Sequence, residues 1–310
     1  MRAATDWAAK NKDWQHAGVG ADNLSELELT LGDVAGALRD AEQSVTFADR
    51  SGEAFQRMVR RTTHAYALHH AGRRAEALAL FREAERMQAE LQPEYALLYS
   101  LQGFECCDLF LAEAERAAWQ LLLNRQSTIR NPQLKQVGHS VSRRAAQTLR
   151  IAERNNWLLV IALDHLTLGR AALYQAMLDG SAFRSPPSAL QPAHRELAAA
   201  VDGLRAAGQV QELPRSLLTR AWLRVVEGDA AGARADLDEA WQIAERGAMK
   251  LFMADVHLHR VRLFRDKDEL AKARDLIEAC RYWRRKEELE DAEAAAKSWP
   301  DSASSADEGM

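Results

Sequence analysis

The sequence is poor in the residues that interrupt regular structure: its 310 positions hold 16 glycines and 7 prolines. So few turn formers exclude a loop-rich or low-complexity chain and favour long, unbroken elements. Runs in which Val, Ile and Thr alternate with polar residues are also absent, which removes the usual mark of strands. The nearest candidate, WLLVIALDHLTLG at 157–169, keeps helical spacing into Gly169 and Tyr174. Cysteine is scarce too. Cys106, Cys107 and Cys280 are odd in number and two are adjacent, which suits buried reduced thiols better than a disulfide framework.

No apolar run reaches the roughly 18 residues that cross a bilayer. The opening residues, MRAATDWAAKNKDWQ, lack the apolar core of a secretion signal. Both absences argue for a cytoplasmic protein with no membrane partner. The formal net charge of −4 lacks the concentrated positive charge of a dedicated nucleic-acid binder, so nucleic acid is not an expected partner either. What fills the chain instead is Ala, Leu, Glu and Arg, all good helix formers. The class expected is all-α.

The stretch HHAGRRAEALALFREAERMQ, 69–88, places Ala77, Phe81 and Ala84 on one side of a helix that follows a break at Gly72. Small residues on a buried stripe let a second helix approach closely. The same spacing from break to stripe returns at Gly32 with Ala37, Ala41 and Ser44, and at Gly228 with Ala233, Leu237 and Ala240. It returns again at Asp268 with Ala273, Ile277 and Cys280. Ala37 and Ala77 stand 40 positions apart, as do Ala233 and Ala273. Weaker copies fill the middle: RAAQTLRIAERN (144–155) and PAHRELAAA (192–200). Each such helix follows another that carries a small residue seven positions before the break: Ser25, Ala65 and Ala221, with Val261 as a bulkier exception. Helix pairs of this size cannot bury their apolar faces alone, so neighbours must stack.

These residues resemble the tetratricopeptide repeat family, through the Leu168-Gly169 pair in a first helix and Ala77, Phe81 and Ala84 in a second. The resemblance implies a right-handed superhelical solenoid of antiparallel helix pairs. The period departs from the family's, at about 40 in place of about 34, so the helices are longer. The wording NLSELELTLGDVAGALRDAEQSVTFADRSG and TLRIAERNNWLLVIALDHLTLGRAALY is also similar to the extended C-terminal repeat regions of bacterial signal-transducing (STAND-type) NTPases. No Gly-x-x-x-x-Gly-Lys-Ser/Thr loop occurs, so nucleotide binding is not implied.

The expected organisation begins with a partial helical unit at 1–20. An array of about six helix pairs follows over 21–285, interrupted near 115–137 and 178–192. Ala117, Trp119 and Leu121 suit the first interruption to a short extra helix; Gly180, Pro186, Pro187 and Pro192 make the second a loop. A charged capping helix at 286–299 precedes a disordered acidic tail at 300–310.

The resemblance implies that the first helix of each unit lines a concave face, with the residue after its mid-helix small position pointing inward. Tyr66, Phe104, Arg170, Trp222 and Arg262 stand at those positions, and His69 and Arg265 lie one turn farther along. Aromatics and arginines dominate binding hot spots, and Arg forks onto carboxylates, so the expected partner is a protein or peptide with acidic and apolar side chains. The Lys and Asn pair of the family's carboxylate clamp is not seen.

Neither a metal nor a cofactor is expected. His64, His69, His70, Cys106, Cys107, His257 and His259 lack the spacing that sets two ligands on one metal, and the histidines read as surface or groove residues. Catalysis is not expected either. No Gly-x-Ser-x-Gly elbow occurs, Asp164-His165 sits among leucines, and Glu287, Glu288, Glu290 and Asp291 read as a solvated face. The sequence thus describes a non-catalytic scaffold that binds a protein or peptide on its concave face. The competing reading is the sensor or autoinhibitory part of a larger signalling NTPase, with an intramolecular partner domain outside this chain. A hydrolase would require His, Asp and Ser or Cys to converge on the inner face.

Overall fold

A computed structural model describes residues 1–124 and 132–299. The described residues form fifteen α-helices and three short 3-10 turns, with no strand among them, so the class is all-α. After α1 (Arg2–Lys10) come α2 (Trp14–Leu31) and α3 (Val34–Ser51), then α4 (Ala54–His70) and α5 (Arg74–Leu91). Next are α6 (Ser100–Leu123), α7 (Pro132–Arg154), α8 (Leu158–Leu178), the one-turn α9 (Ser181–Arg184) and α10 (Pro186–Ala206). The chain continues through α11 (Leu213–Glu227), α12 (Ala230–Arg246), α13 (Lys250–Phe264), α14 (Asp268–Cys280) and α15 (Lys286–Ala296).

Six packed pairs account for most of the chain: α2 with α3, α4 with α5, α6 with α7, α8 with α10, α11 with α12, and α13 with α14. The local chemistry of two of the turns is written in a Gly-Asp dipeptide. Gly32 and Gly228 close their helices in the left-handed conformation, which costs a residue without Cβ nothing. Asp33 and Asp229 then cap the next helix by accepting from the Gly36 and Gly232 amides at 2.8 Å.

The small residues of the repeat do what their size allows. Ala37, Ala77, Ala193, Ala233 and Ala273 are all fully buried, as are Ser25, Ala65, Ala221 and Val261 on the preceding helices. The three thiols are buried and free. Burial pushes the Cys107 thiol up to about 12, so it is inert near neutrality.

Several boundaries differ from the sequence reading. The first break falls at 11–13, so α2 runs across position 20 as one helix. Ala117, Trp119 and Leu121 form no extra helix but extend α6, whose 24 residues make it the longest of the set. The segment 178–192 is not a loop. Pro186 and Pro187 occupy the first turn of α10, where a missing amide hydrogen breaks no intrahelical bond. The fourth break lies at Arg265, which adopts the left-handed conformation with φ 56°. Asp268 follows it as the first residue of α14. The tail at 300–310 and residues 125–131 of the first interruption lie outside the described residues.

The last elements return to the first. α13 packs against α2 and α6, the turn Trp283–Arg285 meets α4, and α15 meets α6 and α13. No helix among the described residues is long and apolar enough to cross a membrane.

Candidate functional site

The first helices of all six pairs, α2, α4, α6, α8, α11 and α13, surround one cavity of about 430 Å³. That size falls within the range of small-ligand sites. Exposed Asn23, Glu26, Leu27 and Thr30 on α2, with Gln211 before α11, form its rim. Its interior mixes apolar walls from Leu101, Phe104, Leu218 and Phe252 with an unusual number of charges.

The charges are organised around α6. Asp108 and Glu115 lie seven residues apart, two turns along the helix, and so share its inner face. Arg170 of α8 donates to Asp108 at 2.6 Å and to Glu115 at 2.9 Å, and to the Tyr174 hydroxyl at 3.1 Å. From the far end of the chain, Arg284 donates to Asp108 at 3.0 Å. Arg285 donates to Glu115 at 2.9 Å and to Asp255 of α13 at 2.8 Å. Burial alone would raise the Asp108 carboxyl, but Arg284 and Arg170 outweigh it and hold the group well below the usual carboxylate range.

A fourth cation, Arg215 of α11, lies in an aromatic enclosure. Its guanidinium is 5.9 Å from the Tyr66 ring, 5.6 Å from Phe104 and 5.2 Å from Phe252. It also donates to the Tyr66 hydroxyl at 2.7 Å and to Glu212 at 2.6 Å.

The structure brings four of the seven expected binding residues, Tyr66, Phe104, Arg170 and Trp222, into this cavity. The other three stand apart from it. His69 is buried behind the cavity, 3.6 Å from Asp108; burial and then Arg284 lower its pKa to about 4. The Arg262 side chain is fully buried, paired with Glu288 and stacked 3.9 Å over the Trp119 ring. Arg265 is exposed beyond the end of α13, because the left-handed turn there carries it off the inner face. Of the three arginines expected to meet an acidic peptide, Arg170 and Arg262 are thus consumed by internal ion pairs. Trp222 is structural as well, stacked 3.6 Å on Trp119 and 1% exposed.

Of the histidines read as surface or groove residues, His69, His70, His257 and His259 are all buried, and His70 and His259 line the cavity. His257 pairs with Glu269, and His259 meets the Asp255 carbonyl oxygen at 2.7 Å. His70 stacks on Tyr282 at 5.5 Å. Glu288, read as part of a solvated face, turns inward to Arg262 and Arg285. No group of three or more His, Cys, Asp or Glu among the described residues is placed to hold a metal ion.

Sequence reasoning missed Glu105, Asp108 and Glu115 on α6, Arg215, and the Arg284-Arg285 pair. One signal was available: four acids, Glu105, Asp108, Glu113 and Glu115, inside the largely apolar run LQGFECCDLFLAEAERAAW (101–119), where burial without a partner would be costly. The identity of the partners was not readable. No family model matches the chain, and no curated protein matches it.

Proposed function

We propose that the chain is a cytoplasmic, non-catalytic binding protein of tetratricopeptide type, a right-handed solenoid of helix pairs that holds a short segment of a partner protein or peptide. One observation carries the reading: the first helices of all six pairs contribute to a single open cavity of about 430 Å³. A fold built only to cover a core would fill such a space. The mixed walls support it further, since Leu101, Phe104 and Phe252 offer apolar contact beside the polar rim of Asn23 and Gln211. The internal pairing of Arg170, Arg284 and Arg285 fixes the shape of the floor. Preorganised sites of this kind bind with little ordering cost.

The test is a labelled peptide library, read by fluorescence anisotropy, with wild type beside the cavity-filling variant Leu101→Trp. Leu101 is half-buried on the cavity wall, so the larger ring has room toward solvent and the fold should hold. Peptides bound by wild type and lost by the variant support the reading. Binding that is equal for both places the working surface outside the cavity and overturns it.

A further inference from the structure

The cavity is not electrically balanced. Six carboxylates line it, from Glu26, Glu105, Asp108, Glu115, Glu212 and Asp255, against four arginines. Each arginine already has a carboxylate: Arg170 and Arg284 hold Asp108, Arg285 holds Glu115 and Asp255, and Arg215 holds Glu212. Glu26 and Glu105 are left over, Glu26 exposed on the rim and Glu105 buried. Glu105 is 8% exposed and lines the cavity, none of the four arginines pairs with it, and its oxygens are not among the fully enclosed polar atoms. The charge of Arg215 acts on Glu105, yet its donors go to Tyr66 and Glu212.

A buried carboxylate without a partner is costly wherever it occurs. Here it lines the same cavity as the apolar side chains of Leu101, Phe104, Leu218 and Phe252, with the exposed Glu26 on the rim. That arrangement matches a long apolar stem ending in a point charge. Lysine has this form, since its four-carbon chain lies along apolar surface while the ammonium finds its counter-ion.

Resting on the peptide-binding reading above, we infer that the cavity selects a ligand carrying a protonated primary amine on an apolar stem, with Glu105 as its counter-ion. The amine can come from a lysine side chain of a peptide or from a free aliphatic amine. The carboxyl pKa agrees with an unfilled cation site: burial, then the charge of Glu26, hold Glu105 well above the usual carboxylate range. Arg215 lowers it, and Asp22 and Glu212 raise it further.

The deciding experiment is titration calorimetry with four probes: acetyl-Leu-Lys-Leu-amide, its norleucine and glutamate analogues at the central position, and 1,5-diaminopentane. Wild type should bind the lysine peptide at least about tenfold more tightly than either analogue. The difference should vanish in Glu105→Gln, whose folding is followed by its melting curve. Wild-type discrimination alone tests the charge, so the inference stays testable even if that variant is unstable. Binding of the diamine without any peptide would keep the amine site and sink the peptide reading. Equal binding of the lysine and norleucine peptides would keep the peptide reading and overturn the amine site. Preference for the glutamate peptide, a lysine preference retained in Glu105→Gln, or no heat from any probe would each overturn it as well.

Discussion

Asp108 and Arg284 are 176 residues apart in the chain and joined at 3.0 Å in the interior. The contact fastens the end of the array to its third helix pair. Replacing Asp108 by Asn strips the main counter-charge from Arg284 and Arg170, both buried. The expected loss is about 3–5 kcal/mol, read as a lower urea midpoint. Its pH dependence has a definite sign. The folded carboxyl ionises below its unfolded value of 3.8. The stabilisation is therefore complete above that value and is lost as pH falls below it. A variant as stable as wild type would remove the network from the account of the fold.

Glu105 behaves in the opposite sense. Its folded pKa lies above the unfolded value of 4.5, so the folded state binds the proton more tightly, and stability falls as pH rises above 4.5. In the absence of ligand, Glu105→Gln should therefore stabilise at pH 8 by roughly 1 kcal/mol, since it removes a buried unpaired charge. The advantage should disappear near pH 4. Thermal melts of both proteins at the two pH values check this, and a destabilised variant at pH 8 would count against an unpaired Glu105.

Gly169 marks the close approach of α8 to α10. A Cβ added there would stand 2.7 Å from two side-chain atoms of Leu197 and 3.2 Å from its backbone nitrogen. Gly169→Val should cost about 1–3 kcal/mol by overpacking. A melting temperature at or above that of wild type would show that the pair separates more easily than the geometry states.

Ala77 and Ala233 occupy equivalent places in the second and fifth pairs, each with no exposed surface. Aspartate at either would bury an unpaired charge between two helices and should lower stability by several kcal/mol. Two unchanged melting curves would refute the register of the repeat.

The sequence alone determined the all-α class, most of the helix breaks and the small-residue seams. These depend on neighbours three to five positions away: Ala77 with Phe81 and Ala84, or the Gly228-Asp229 turn that ends one helix and caps the next. The tetratricopeptide resemblance implied that first helices line the inside; Tyr66, Phe104, Arg170 and Trp222 do line the cavity, while His69, Arg262 and Arg265 do not. The sequence misjudged 178–192, because Pro186 and Pro187 serve equally as breakers or as a first turn. Only the tertiary structure decided which charges survive the folding. Whether Arg170 meets a ligand or Asp108, and whether Glu105 meets Arg215 or nothing, depends on residues brought together from 55 to 176 positions away. Coulomb energies and desolvation depend on distance in space and on burial. Local periodicity fixes neither, so the scaffold was legible in the string of residues and the unpaired Glu105 was not.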